Sequence, residues 1–197
     1  RPKYLRACLE SITVQTSRDF EVVVVCNGAG EETYDVVNEF KARLPALKIV
    51  RIEENVWSWD DFGIFFREVH KLGLEASSGE FVLFLSDDDA LSNGFVERVL
   101  QIFSVNPECV GVTGSCINRD LVTGREYPSL SARNATRRPA LEDGKSLALR
   151  ALSSKGADRQ DLADPGFGYV VKASLYRDER LQEAIWMGYE REQIQFL

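Results

Sequence analysis

The stretch at positions 79–91, GEFVLFLSDDDAL, constrains this chain more than any other. Five apolar residues from Phe81 to Leu85 are typical of a strand that is buried on both faces. After one serine come three aspartates, Asp87, Asp88 and Asp89. Like charges so close together repel one another, and each loses hydration near a buried strand end. The pattern therefore predicts a positive partner, and a divalent metal ion carrying a phosphorylated substrate is the simplest one.

Acidic residues also occur in calcium loops and in solvated helix caps. A calcium loop of the helix-loop-helix kind is excluded, because glycine and glutamate never both fall at its sixth and twelfth positions when the count starts at Asp87 or Asp89. A solvated acidic turn that caps a helix starting near Ser92 is the alternative, since Asp and Ser favour helix N-termini. One cap does not need three carboxylates, so the sequence favours a metal site.

Length and charge narrow the class of protein. The chain has 197 residues and a net charge of −7, with no long basic block, so nucleic-acid binding is not expected as a main function. No apolar run reaches 18 residues, which predicts no membrane span. Four cysteines without a C-x-x-C pair and a single histidine do not predict a zinc site. No signal peptide is visible, so we expect a cytoplasmic protein, or one at the inner face of the membrane.

Strand-like and helical patterns alternate along the chain. Apolar runs predict strands at 20–26, 47–52, 81–85, 109–116 and 166–173, and helical spacing predicts helices at 4–15, 31–43, 62–76 and 94–103. The polar segment 118–143 predicts loops or a short hairpin. Alternation at this spacing predicts an α/β fold with a mostly parallel sheet that is flanked by helices.

Two predicted strands end in distinctive polar residues. One ends in Asn27 and Gly28, and the other ends in the aspartates. Ligands of open parallel sheets bind at the carboxyl ends of the strands, which predicts a nucleotide across both ends. The side chain of Asn27 can donate and accept hydrogen bonds to a base, and Gly28 lets the backbone approach a ligand. Taken alone, the two residues also fit the alternative of an ordinary strand-to-helix turn. Asp61 follows an aromatic segment and either caps the next helix or borders the base pocket.

Taken in order, these segments resemble a family 2 glycosyltransferase of the GT-A fold. The resemblance rests on the first helix and its Gln-Thr-x-x-Asp-Phe turn within 1–20, on the strand at 20–29, and on the Gly-Glu strand with its acidic motif at 78–91. It extends over positions 1 to about 103. It implies one GT-A-like domain over 1–197, with a nucleotide-sugar half at 1–117 and an acceptor-side half at 118–197. Because the family's first strand is absent and the last helix is cut off, we expect truncation at both ends.

The resemblance also implies roles for individual residues. Asn27 stands where the family has the aspartate that contacts the base, and Asp87 matches the residue near the ribose. Asp88 matches the direct ligand of Mn²⁺ or Mg²⁺, and Asp89 matches the acidic residue after it. The catalytic base falls at Glu190, with Glu192 as the competing choice. Ser86 replaces the first aspartate of the usual motif, which shifts the acidic block by one residue.

The implied reaction is transfer of a sugar, with inversion, from a nucleotide-diphosphate sugar to a hydroxyl of a saccharide or lipid-linked saccharide acceptor. Two alternatives from other classes stay open. A metal-dependent nucleotidyltransferase or phosphotransferase also uses aspartates at a parallel strand end. A non-catalytic module would bind the nucleotide sugar with the same aspartates and show no turnover.

Overall fold

The computed structural model describes residues 1–58, 64, 66–114, 116–120, 122–128, 143 and 169–178. In chain order its elements are α1 (Pro2–Thr13), β1 (Val22–Asn27), α2 (Glu31–Phe40), β2 (Leu47–Ile52), a π-helix (Phe66–His70) that continues as α3 (Lys71–Ala76), β3 (Phe81–Leu83), α4 (Phe95–Val105), β4 (Gly111–Thr113), β5 (Ile117–Arg119), β6 (Glu126–Pro128), β7 (Tyr169–Lys172) and α5 (Ala173–Arg177). Within this part of the chain, no helix is long and apolar enough to span a bilayer.

The predicted alternation of strands and helices is confirmed, with shifts at the ends of elements. Strand β2 has the predicted bounds, whereas β3 stops at Leu83. The predicted helix at 62–76 contains the π-helix at Phe66–His70, which runs on into α3. The segment predicted as loops or a hairpin holds the antiparallel pair β5 and β6, which starts one residue earlier than expected.

Strand pairing joins distant parts of the chain. Strands β1 and β2 are parallel, in register from Val22 with Leu47 to Asn27 with Ile52. Strand β7 lies between β3 and β4 and is antiparallel to both. The predicted α/β fold is confirmed. Among the described strands, β1 and β2 form a small parallel sheet, and β7 joins β3 and β4 in a second sheet. The sequence pattern does not reveal this pairing, because the alternation of side chains along a strand specifies its faces and not its neighbours.

The larger core lies between the first two helices and the β1–β2 pair. Leu9, Val37 and Phe40 are fully buried there, because apolar residues three and four positions apart share one face of each helix. Leu85 and Leu91, which flank the aspartates, pack against the same core. The acidic segment is thus tied to the core on both sides, and its polar part is turned away from it.

A smaller core supports β3 from the other side. Val99 and Phe103 of α4 are buried with Val170 of β7. The ring of Phe81 at the start of β3 stacks on Phe103, with 4.0 Å between ring centroids. Both ends of the segment that carries the aspartates are therefore fixed by packing.

Glu21 joins the start of β1 to the turn before β3. Its carboxylate accepts hydrogen bonds from the backbone N–H groups of Ser78 and Gly79 and from the Ser78 hydroxyl, and it pairs with Lys48 at 2.7 Å. Desolvation acts to raise the pKa of Glu21. The hydrogen bonds from Lys48, Ser78 and Gly79 outweigh it, and the pKa falls to about 2.

We expect Glu21→Gln to lower the free energy of unfolding by about 1–3 kcal/mol at pH 7, because a charged acceptor of several hydrogen bonds is lost. A carboxylate whose pKa is lower in the folded state stabilises fully above its unfolded pKa. The difference from the wild type should therefore shrink as pH falls from 4.5 towards about 2. Urea denaturation at several pH values measures this.

Glu39→Gln is the matched control, since Glu39 pairs with Arg6 on the exposed surface. It should change stability less than Glu21→Gln does at pH 7. An equal loss in both variants, or a Glu21→Gln loss that does not depend on pH, would contradict the role given to Glu21.

Candidate functional site

The acidic turn, defined here as residues Ser86–Asp89, lies at the carboxyl end of β3. The backbone N–H of Asp89 donates to the carbonyl of Ser86 at 3.1 Å, which closes the turn. Asp88 is exposed, and Asp87 and Asp89 are half-buried. The carboxylates therefore sit where a sheet of this class presents its ligand site, within reach of solvent.

The positive partner that the aspartates require is Arg1. Its guanidinium donates to both carboxylate oxygens of Asp87, through Nε at 3.1 Å and through Nη2. Its Nη1 donates to Asp88 Oδ2 at 2.8 Å. The carbonyl of Arg1 accepts the first hydrogen bonds of α1, from Tyr4 and Leu5, so the start of this helix fixes the backbone that carries the guanidinium.

Asp89 differs from its two neighbours because the hydrogen bonds of the Arg1 guanidinium go to Asp87 and Asp88. Burial raises the pKa of Asp89, and the negative charges of Asp88 and Asp87 raise it further. Burial, followed by the charges of the three aspartates, raises the pKa of the nearby Cys8 thiol to about 12. Cys8 is therefore a buried thiol that stays protonated and belongs to the packing of α1.

The other end of α1 holds the segment that follows the acidic turn. The Gln15 side chain is 5% exposed; its amide donates to the Ser92 carbonyl at 2.8 Å and its oxygen accepts from the Val96 N–H at 3.1 Å. Thr16 N–H donates to the Asn93 carbonyl, and Ser11 Oγ accepts from Leu91 N–H. Gln15 thus supplies the side-chain cap that Gly94, the N-cap residue before α4, cannot provide.

We expect Gln15→Leu to lower the free energy of unfolding by about 1–3 kcal/mol, because it leaves the Val96 N–H and the Ser92 carbonyl without the hydrogen bonds that Gln15 makes. Thr16→Val is the matched control. It removes an exposed hydrogen bond to Glu97 and should stay within about 0.5 kcal/mol of the wild type. Urea denaturation compares them, and a Gln15→Leu protein as stable as Thr16→Val would contradict the cap.

The second polar strand end, at Asn27, holds the loop after β2. Asn27 Oδ1 accepts from the Val56 N–H at 3.0 Å, and Asn27 Nδ2 donates to Asn55 Oδ1 at 3.0 Å. Asn55 Oδ1 also accepts from the Trp57 N–H at 2.8 Å. The amide of Asn27 is therefore used first to shape this loop, which leaves it one N–H and one lone pair for a ligand.

Gly28, the next residue, also contacts the loop after β2, through its backbone. Its φ is +59°, in the left-handed region, and its N–H donates to the Ile52 carbonyl at 2.9 Å. A Cβ at this position would lie 2.6 Å from the backbone nitrogen of Asn55. Only glycine allows the two loops to approach so closely.

We expect Gly28→Ala to lower the free energy of unfolding by about 1–3 kcal/mol, through backbone strain and the clash with Asn55. Gly30→Ala is the matched control, since a Cβ at Gly30 meets nothing within 4 Å, and it should cost less than about 1 kcal/mol. Thermal unfolding of the two variants decides this. Equal losses would show that Asn55 does not limit position 28.

Comparison with known proteins identifies the family. The model of the family described as "Glycosyltransferase like family 2" matches residues 1–174. The chain belongs to this family. Its fold is similar to that of S. aureus TarS 1-349, with a TM-score of 0.60 and 19% identity over 91% of this chain and 46% of that one.

Curated relatives agree with this family 2 membership. A PGL/p-HBAD biosynthesis glycosyltransferase of Mycobacterium bovis is 36% identical over 87 residues, which cover 44% of this chain and 31% of the relative. An uncharacterized glycosyltransferase of Haemophilus influenzae is 36% identical over 101 residues, which cover 51% of this chain and 30% of the relative. The chain thus spans less than a third of the length of these two relatives.

The structure brings only some of the predicted site residues of this family 2 chain together. Asp87 and Asp88 meet at Arg1, and Asn27 and Gly28 meet at Asn55. Asp61, Glu190 and Glu192 lie outside the described residues, and their roles stay predictions.

For His70 and Lys71, on the helix predicted at 62–76, the sequence predicts either contact with a diphosphate or a surface position. The surface position is wrong for His70, whose ring is half-buried and stacks on Phe84 with 4.3 Å between centroids. Burial lowers the pKa of His70 to about 4. The surface position is confirmed for Lys71, which is exposed and whose Nζ lies 4.0 Å from Glu75 Oε1.

The residues present fit a metal ion that is shared with a substrate. Among the described residues, no three His, Cys, Asp or Glu side chains are grouped to hold a metal ion by themselves. Two carboxylates, from Asp87 and Asp88, do converge on one cation, the Arg1 guanidinium. Mg²⁺ is commonly bound in this way, by one or two carboxylates with substrate phosphates and water as the other ligands.

Sequence reasoning missed Arg1, Gln15 and Asn55. A signal existed for Arg1, because the aspartates demanded a cation and an arginine stands at the start of a helix next to Pro2. For Gln15 the signal was weaker: its position continues the apolar spacing of α1, although its side chain is polar. Asn55 carried none, because the path of the loop after β2 has no periodic pattern.

Proposed function

We propose that this chain is the donor-binding part of an inverting glycosyltransferase, which moves a sugar from a nucleotide-diphosphate sugar to an acceptor hydroxyl. Its membership of family 2 supports the reaction class. The observation that carries the proposal is the convergence of Asp87 and Asp88 on a single cation at the carboxyl end of β3. A site that holds one positive group between two carboxylates suits a metal-bound diphosphate.

Asp88 is the first ligand we assign to Mn²⁺ or Mg²⁺, with Asp87 or Asp89 as the second. When bound, the ion would neutralise the charge that develops on the departing nucleoside diphosphate. Asp88 suits the role of first ligand because it is the most exposed of the three aspartates. Only one of its oxygens accepts a hydrogen bond from Arg1. The half-buried Asp89, whose pKa is raised, suits the role of second ligand rather than first.

We assign the donor's base to the strand end where Asn27 and Gly28 contact Asn55. Asn27 would contact the base with the N–H and the lone pair that remain after its bonds to Asn55 and Val56. Asp61, which follows the same loop, is proposed at its border. This arrangement makes Asn27 both a ligand and the residue that positions the loop.

The catalytic base is proposed as Glu190, with Glu192 as its rival. The carboxylate would take the proton of the acceptor hydroxyl as that oxygen attacks the anomeric carbon from the face opposite the leaving group. Positive charge would develop on the sugar ring, as in other glycosyl transfers. The acceptor is proposed to be a saccharide or lipid-linked saccharide in glycoconjugate or polysaccharide synthesis, in keeping with the mycobacterial relative's name.

A panel of nucleotide sugars, with and without Mn²⁺, tests the proposal by calorimetry and by slow hydrolysis. We expect one of them to bind more tightly with Mn²⁺. Asp88→Ala should abolish that metal-dependent gain, because the proposed direct ligand is gone. Asp35→Ala, an exposed aspartate on α2, is the matched control and should keep it. Binding of no nucleotide sugar would overturn the proposal.

The assignment of the base is tested on the donor that the panel identifies. Glu190→Gln should bind it as the wild type does and lose transfer, since only proton removal is affected. Full transfer by Glu190→Gln would move the base to Glu192 or another carboxylate. Release of a product other than the nucleoside diphosphate would indicate nucleotidyl or phosphoryl transfer, and binding without turnover would indicate a non-catalytic module.

A further inference from the structure

Arg1 occupies the carboxylate oxygens that a metal ion would need. It binds both oxygens of Asp87 and one oxygen of Asp88, so one guanidinium spans the two side chains. The Arg1 side chain is 56% exposed, and those of Asp87 and Asp88 are 33% and 44% exposed. Solvent therefore reaches both the guanidinium and the two carboxylates.

We propose that Arg1 competes with the divalent cation for Asp88 in the donor-free protein and moves onto the diphosphate when donor and metal bind together. The inference rests on the proposed function and adds a role for a residue that neither the sequence pattern nor the family match singles out. Arg1 then acts as a positioning residue, because it links the affinity for the metal to the presence of the diphosphate.

The competition follows from charge. A divalent cation on Asp88 would stand a few ångströms from the Arg1 guanidinium, and like charges at that distance repel. Exposed ion pairs are worth little, typically below 1 kcal/mol each, so the guanidinium can leave without a large loss of stability. Without the diphosphate, the metal therefore has to bind carboxylates whose negative charge Arg1 already partly neutralises.

The transfer to the diphosphate follows from the shape of the guanidinium. Its planar fork matches phosphate oxygens as well as it matches a carboxylate. Because the backbone of Arg1 is fixed at the start of α1, the guanidinium stays near the aspartates after it leaves them. A diphosphate that arrives with the metal thus offers Arg1 a new partner at the same place.

A purely structural Arg1 would behave differently. If the guanidinium only held the acidic turn in shape, its removal would let the aspartates drift apart, and the metal would bind more weakly. Competition predicts the opposite sign for the metal alone. The direction of the change separates the two roles.

The experiment is a titration of the full chain with Mn²⁺ alone, followed by calorimetry or electron paramagnetic resonance. We expect Arg1→Gln to bind Mn²⁺ about three- to tenfold more tightly than the wild type, since the competing charge is gone. Arg6→Gln is the matched control: it removes the same charge from the same helix, where Arg6 pairs with Glu39, and should leave Mn²⁺ affinity unchanged.

A second titration adds the nucleoside diphosphate that the donor panel ranks first. The wild type should gain more Mn²⁺ affinity from it than Arg1→Gln does, because only the wild type has a guanidinium to move. Arg1→Lys keeps the charge without the fork, so it should bind Mn²⁺ alone as weakly as the wild type and gain less from the diphosphate. If Arg1→Gln does not fold, Arg1→Lys still tests the transfer of the guanidinium to the diphosphate.

Unchanged or weaker binding of Mn²⁺ alone by Arg1→Gln would overturn the competition, and so would the absence of Mn²⁺ binding in every variant. A gain from the diphosphate that is equal in wild type and Arg1→Lys would overturn the transfer. The proposed function fails separately, through a donor panel in which nothing binds, so the two failures are distinguishable.

Discussion

The rest of the site depends on how the negative charge of three consecutive aspartates is balanced at the end of a packed strand. Asp87 and Asp88 are balanced by the Arg1 guanidinium, whereas burial and the charges of its two neighbours raise the pKa of Asp89. The backbone carbonyl of Arg1 accepts hydrogen bonds from the first turn of α1, so the guanidinium ties the start of that helix to the two carboxylates. The acidic turn and α1 are therefore one unit, although they are more than eighty residues apart in the chain.

Helix α1 holds this unit at both ends and packs in between. Arg1 binds the acidic turn at the start of the helix, and Gln15 caps α4 just beyond its end. Leu9 of the same helix lies in the core against which Leu85 and Leu91 also pack. Apolar contacts thus fix the two flanks of the turn, while charged and polar contacts fix its exposed part, which leaves Asp88 accessible to a ligand.

Much of this could be predicted from the sequence, because it rests on local patterns. The apolar spacing of α1 and α2, the bounds of β2 and the need of the aspartates for a cation are all properties of short segments. The identity of that cation is not, since Arg1 meets Asp88 only through the tertiary packing of α1. The same holds for Asn27, whose partner Asn55 lies on an irregular loop, and for β7, whose pattern predicts a strand without naming its neighbours.

The most direct test of the account is a crystal structure of the chain with Mn²⁺ and the nucleoside diphosphate that it binds most tightly. The account predicts the metal between Asp88 and the phosphates, the base beside Asn27, and the Arg1 guanidinium on the diphosphate and off Asp88. A diphosphate bound away from the acidic turn, or an Arg1 still on Asp88 with the metal in place, would contradict it.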